Sequence, residues 1–323
     1  MRVILKNNDA LTVDFEVRVP GKWILAGEHA VLRGCEAVVF PLESRYLQLQ
    51  YSRKDSDLEL QISGEKSAEL ELIIWSVIEK ALKLLGLRRS ELKGLVDMRS
   101  HIALGGGMGA SATLCVALTE WLHYLGFVPH ENKFSFARDL ENLFHGESSG
   151  VDVAVTLARK PLVFLRDKGF SEIQIAQMPY LYLSYSGERG VTKDCIEKVK
   201  NIFVESPELA ISIDRQMQDA VSEFKALLQS KVHSELQNEG TLLNWIKTMR
   251  KANNCFEQWG LVTENVKKHQ KTLLDAGALA VKLTGSGGGG YVLSLWEKPL
   301  TTEPQKTQLA NELGSEMIAC FPE

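Results

Sequence analysis

The segment IALGGGMGASATLCVALTEWL, residues 102–122, sets a glycine-dense turn directly before a run with apolar residues at helical spacing. Gly105, Gly106, Gly107 and Gly109 precede a helix that the spacing predicts from about Ala110 onward. A turn without side chains lets backbone N–H groups approach a phosphate, and the positive end of the helix dipole adds to the attraction. No Gly-Lys-Ser/Thr closes the turn, so it is not a Walker loop, and its spacing does not fit a dinucleotide fingerprint. Taken alone it reads equally as a tight strand-to-helix turn, with Ser111 near the helix start as a cap.

Two other glycine-rich stretches flank it. In KLTGSGGGGYVLSL, residues 282–295, Gly285 is followed by an unbroken run from Gly287 to Gly290 between two strand-like segments. Such a run costs backbone entropy and packing area, and a plain hairpin tip needs less glycine than this. In VPGKWILAGEHAVLRG, residues 19–34, two glycine positions frame an apolar strand and bring Lys22, Glu28 and His29 close in sequence. By itself that stretch is a strand and turn with solvated charges.

Outward from these loops the chain alternates strands and helices. Residues 13–62 read as short strands (VDFEVRV, WILAG, AVVF, RYLQLQY), and 68–85 as a helix that caps at Gly86. A strand at 94–100, helices near 110–125 and 131–144, and a hairpin-like pair, VAVTLAR and LVFLR around Lys160 and Pro161, complete a first mixed unit. After LYLSYS (181–186) come about eighty helical residues broken at Pro207 and Gly240, then AVKLTG, the glycine run, YVLSLW and a last helix after Pro304. This order predicts two α+β domains, residues 1–176 and 177–323.

The 323 residues are more than one core usually supports, which agrees with two domains. Hydrophobic residues make up 45% and charged residues 24%, as in soluble globular proteins, and no stretch reaches the roughly 20 apolar residues needed to cross a bilayer. The opening MRVILKNNDALTVDF lacks the pattern of a secretion signal, so a cytoplasmic protein is expected. Five scattered cysteines (Cys35, Cys115, Cys195, Cys255, Cys320) argue against a disulfide framework or a cysteine zinc site. A net charge of −4 without basic blocks argues against nucleic acid as a partner.

Taken together, in this order and separation, residues 20–34, 102–113 and 283–290 resemble the three motifs of the GHMP kinase superfamily. GEHAVL is most similar to the corresponding segment of the mevalonate kinases. ENLFHGESSGVDVAV (141–155) and, more weakly, SGERGVTKD (186–194) resemble further segments of those enzymes. The sequence departs from the motifs at Ala103, Met108, Ala110, Val153, Ser286 and Tyr291, and Val153 is expected beside the acceptor.

The resemblance implies a two-domain α+β fold, with a mixed α/β N-terminal domain, a ferredoxin-like C-terminal domain and a site in the cleft between them. It implies transfer of the γ-phosphate of ATP, with Mg²⁺, to the primary hydroxyl of mevalonate, as in isoprenoid biosynthesis. Phosphoryl transfer needs a phosphate cradle, a metal, a cation near the reacting oxygen and a carboxylate at the attacking hydroxyl. By resemblance the cradle is Gly105, Gly106, Gly107, Gly109, Ala110 and Ser111, joined by Gly285, Gly287 and Gly288. Ser111 and Glu141 hold the metal. Asp152 and Lys22 are catalytic, and Glu28, His29 and Thr192 contact the acceptor. From the residues alone, Glu141 could instead pair with His145, and Lys22 with Asp152 as a structural salt bridge. Another small alcohol or a sugar as acceptor, or a nucleotide-binding regulator without catalysis, is the alternative reading. Homodimers occur among such kinases, and one is compatible with this chain.

Overall fold

The computed structural model describes residues 12–63, 67–102, 107–145, 148–230, 239–300 and 303–321. The expected phosphate-loop residues Gly105 and Gly106, and the side chain of His145, lie outside the described residues.

Two long strands replace the short runs expected at the start. Strand β1 (Phe15–Ala26) runs antiparallel to β2 (Ala37–Asp57), from Phe15 opposite Tyr51 to Ala26 opposite Val38. Register shifts at Pro20/Gly21 and Ile24/Ala26 absorb the proline and bend the ribbon. The far half of β2 pairs with β4 (Lys93–Ser100), which carries β3 (Glu59–Ser63) in parallel. The near half of β2 pairs with β5 (Leu162–Leu165), and β5 with β6 (Gly169–Glu172).

Helices α1 (Ser67–Leu85), α2 (Ala110–Tyr124) and α3 (Lys133–His145) cover this sheet. Their core joins Val19, Leu49 and Val96 of the strands to Val77, Val116, Trp121 and Leu140 of the helices, all fully buried. Helix α1 ends where the sequence predicts, with Gly86 at φ 67.

The segment expected to pair with LVFLR as a strand is instead helix α4 (Val151–Ala158). Gly150 at φ 84 precedes it and Arg159 at φ 53 ends it. Val151, Val153, Ala154, Val155 and Thr156 are all buried, so almost every face is covered and no amphipathic period shows in the sequence. Tertiary burial here overrides the β preference of three valines and a threonine. The correction has a chemical consequence, because it places Asp152 in the first turn of a helix.

The second sheet has the order β10-β7-β9-β8, built from β7 (Tyr180–Tyr185), β8 (Ala280–Leu283), β9 (Tyr291–Trp296) and β10 (Ile318–Ala319). Helices α5 (Thr192–Glu205), α6 (Pro207–Gln229), α7 (Glu239–Gln258), α8 (Glu264–Asp275) and α9 (Glu303–Leu313) accompany it. Gly240, expected to break the helical region, is instead the second residue of α7, while α6 ends at Gln229. One core cluster runs from Trp23 and Phe40 of the first sheet to Leu183, Val292 and Leu293 of the second. The stacked rings of Trp23 and Phe40, 4.4 Å apart, meet Phe321 edge-on within it. Arg33 forms a bidentate pair with Asp214 of α6 at 2.5 and 2.6 Å, tying the turn after β1 to the C-terminal helices.

Candidate active site

The glycine-rich segments converge on one cleft of about 460 Å³. Lys22, Glu28 and His29 line it, as do Gly107, Gly109, Ala110 and Ser111 of the central loop. Glu141 and Asp152 line it from α3 and α4, Thr192 from α5, and Gly285 and Gly287 from the late loop. Gly107 faces the late loop closely enough that a Cβ on Gly285 would lie 3.5 Å from its carbonyl oxygen.

Gly109, not Ser111, stands at the start of α2, in the left-handed region at φ 78. A Cβ there would come within 2.8 Å of Lys22 Cγ. The bare glycine therefore lets the buried Lys22 side chain cross the loop, and Lys22 N–H donates to the Met108 carbonyl at 3.0 Å. Lys22 Nζ then reaches Asp152 Oδ2 at 3.0 Å. Lys22 and Asp152 are 130 positions apart in sequence, and β1 and the first turn of α4 bring them together.

Glu141, 1% exposed, lies behind this pair. Burial, and secondly the Asp152 charge, push its carboxyl up to about 8. The Ser148 hydroxyl donates to Glu141 Oε2, and Ser148 Oγ in turn accepts the Gly150 N–H at 3.0 Å. Ser148 belongs to the ENLFHGESSGVDVAV segment, where one serine of a Ser-Ser pair carries no local signal of this contact. Its hydrogen bonds join the end of α3 to the start of α4.

Glu28 and His29 sit at the turn after β1 and are both buried. His29 has φ 57, rare for a residue with a side chain, and its Nε2 donates to the Ser286 carbonyl at 2.8 Å. Burial lowers its pKa to about 4, so the ring is neutral. Glu28 Oε1 pairs at 2.7 Å with Lys282 Nζ, a partner that nothing in the local sequence announced. Burial raises the Glu28 carboxyl and lowers the Lys282 ammonium, and each partner opposes the other's shift.

Thr192 Oγ1 donates to Ser286 Oγ at 3.2 Å, holding α5 to the late loop. Gly288 is not on the cleft wall. Its N–H bonds the Leu261 carbonyl at 2.8 Å, and a Cβ would meet Cys195 Sγ at 2.8 Å. Gly289 is packed as closely, since a Cβ there would lie 2.6 Å from the Glu188 carbonyl oxygen, and it also lines the cleft. Val153, expected beside the acceptor, is fully buried in the core with α2 and α3 and does not line the cleft.

A mixed cleft of this kind can hold a polyanion. It offers a helix N-terminus and glycine amides, a buried lysine–carboxylate pair, and apolar walls at Ile73, Leu114 and Phe144. The GHMP kinases N-terminal domain model matches residues 73–160, and the GHMP kinases C-terminal model matches residues 233–318. The chain belongs to the GHMP kinases. It is a small-molecule kinase.

This GHMP kinase is 27% identical over 299 residues to the mevalonate kinase of Thermococcus sibiricus, covering 85% of this chain and 87% of the relative. It is 28% identical over 302 residues to that of Pyrococcus horikoshii, with the same coverage. With the mevalonate kinase of Arabidopsis thaliana it shares 26% identity over 388 aligned positions, covering 96% and 97% of the two chains. Among solved structures, L. major mevalonate kinase in complex with R-mevalonate superposes with a TM-score of 0.74 at 22% identity, over 94% of this chain and 92% of that one. Lactococcus lactis galactokinase complexed with galactose gives 0.70 at 14% identity, over the same shares. The two structural likenesses establish the fold, which these kinases share across different acceptors.

Proposed function

We propose that this kinase transfers the γ-phosphate of ATP to the primary hydroxyl of mevalonate, giving 5-phosphomevalonate and ADP. The Lys22–Asp152 pair at 3.0 Å, beside the glycine loop and the first turn of α4, is the observation that carries the chemistry. The names of the sequence relatives support the choice of acceptor.

In this reading Asp152 accepts a hydrogen bond from the attacking hydroxyl and takes its proton as the new P–O bond forms. Lys22, already beside Asp152, stabilises negative charge as it develops on that oxygen and on the transferring phosphoryl group. The amides of Gly107, Gly109, Ala110 and Ser111 at the start of α2 cradle the phosphates, with Gly285 and Gly287 facing them. Ile73, Leu114 and Phe144 give apolar surface for the base. Glu28, His29 and Thr192 contact the acceptor.

Glu141 and Ser111 fit a Mg²⁺ ion. Both offer hard oxygen donors on the cleft wall, and Mg²⁺ needs only one or two protein ligands beside phosphate oxygens and water. The raised pKa of Glu141 also fits, because burial and the Asp152 charge outweigh the opposing effects of Ser148 and Lys22, and a cation would add to that opposition. When bound, Mg²⁺ neutralises charge on the phosphate oxygens.

Purified protein with Mg-ATP is expected to release ADP with mevalonate and not with galactose, homoserine or phosphomevalonate. Selection of another acceptor from that panel would overturn mevalonate and leave the kinase assignment standing.

A further inference from the structure

Lys282 is fully buried, and a buried ammonium is costly unless it is paired and hydrogen-bonded. It lies on β8, in the second sheet, yet both of its hydrogen-bond partners belong to the first domain's β1 and the turn after it. Its Nζ donates to Glu28 Oε1 at 2.7 Å and to the Ile24 carbonyl at 3.4 Å. Thr284, two residues further along the chain, accepts the Ile24 N–H at 2.9 Å and donates back to the Ile24 carbonyl at 3.0 Å. The β1 bulge between Ile24 and Ala26 is thereby clamped from the other domain, and Glu28 follows two residues after it.

The clamp leaves Glu28 half satisfied. Oε1 is engaged, whereas Oε2 is buried with no hydrogen-bond partner, and Glu28 lines the cleft. A buried carboxylate oxygen without a donor is rare enough to call for an explanation. The donor is not His29, whose Nε2 is committed to Ser286, nor Lys22, whose ammonium is on Asp152. A ligand in the cleft can supply it. Asp152 engages the reacting hydroxyl in the mechanism above, so Glu28 is available to a different group.

We propose that Lys282 is a positioning residue, holding Glu28 so that its second oxygen accepts a hydrogen bond from an acceptor hydroxyl other than the one phosphorylated. The inference rests on the acceptor reading given above and sharpens it to alcohols carrying a second hydroxyl. In mevalonate that group is the tertiary hydroxyl at C3.

The test compares mevalonate with its 3-deoxy analogue, 5-hydroxy-3-methylpentanoate, on the wild type, on Lys282→Met and on Glu28→Met/Lys282→Met, in which no acceptor oxygen is left on the side chain at position 28. The double variant removes both buried charges and guards against misfolding of the single one. Wild type is expected to lose at least about tenfold in kcat/KM on the analogue, since a site built around a hydroxyl discriminates strongly against its absence. In both variants, checked by thermal melting, the ratio between the two acceptors should collapse towards one, with the KM for ATP as the internal comparison. A purely structural role for Lys282 would lower activity on both acceptors alike and keep the ratio. That result in a folded variant, or a wild-type ratio near one, overturns the proposal. If wild type leaves mevalonate untouched, the acceptor reading fails separately, and the same ratio is measured with the selected acceptor and its hydroxyl-deleted analogue.

Discussion

Replacing Asp152 by asparagine keeps the side-chain volume in the first turn of α4 and removes one charge. The Lys22 side chain is 4% exposed and that of Asp152 24%, so the lysine has little water to turn to when its partner is neutralised. Stranding a buried charge costs about 3–5 kcal/mol when nothing else compensates. Here Glu141 compensates: Asp152 is the second cause of its raised pKa, and Lys22 opposes that rise. Without the Asp152 charge Glu141 ionises more readily and takes over part of the pairing with Lys22, so the stability loss should stay below that range. Catalysis has no such substitute. Loss of a positioned general base costs about 10²–10⁴ in rate, or about 3–5 kcal/mol of barrier. Coupled ADP-release kinetics at saturating ATP and acceptor, with a urea melt and an ATP titration on the same preparation, separate the two effects. Expected are a kcat lower by at least about a hundredfold, ATP binding close to wild type, and a folded protein. Turnover within threefold of wild type in the folded variant would refute the assignment of the carboxylate to the attacking hydroxyl.

Gly109→Ala forces a Cβ to within 2.8 Å of Lys22 Cγ at a φ of 78, so it should cost about 1–2 kcal/mol in strain and lower kcat by displacing Lys22 from Asp152. Steady-state kinetics with a melt would detect both. His29 and His269 each have a folded pKa near 4, lowered first by burial, against an unfolded value near 6.5. Between those values the unfolded chain binds more protons, so the stabilisation is complete above pH 6.5 and drains away as pH falls towards 4. Urea melts at pH 7 and pH 5 should differ by about 2 kcal/mol per histidine from this cause, and His269→Gln should remove its share. Arg33→Lys cannot reproduce the bidentate contact with Asp214, and should destabilise by about 1–2 kcal/mol in a urea melt.

Much of the framework was written locally. Helix α1 and its Gly86 stop follow from apolar spacing and from the φ that glycine tolerates. The loop at 102–109 marked the start of α2, and the late glycine run fell between β8 and β9 as its flanking apolar segments require. Lys22, Glu28, His29, Glu141 and Asp152 were picked out by resemblance, and the structure brings all of them to one cleft.

What the sequence left open depends on contacts between distant positions. VAVTLA carries no period to tell a strand from a helix covered on nearly every face, and only its burial beneath β1 and β2 decides for α4. Gly288 and Gly289 look like their neighbours in the glycine run, and only Cys195 and Glu188 against them show that a side chain at either would clash. Lys282 reads as one lysine in a strand. Its meaning comes from Glu28, 254 residues earlier, because the cost of a buried charge is set by what surrounds it in space. Local backbone preferences and motif residues are carried by neighbours along the chain, so the sequence by itself pointed to the glycine-rich segments, the kinase family and the candidate site residues. Pairing of charges, burial on all sides and the close packing of individual glycines arise only when the two sheets come together.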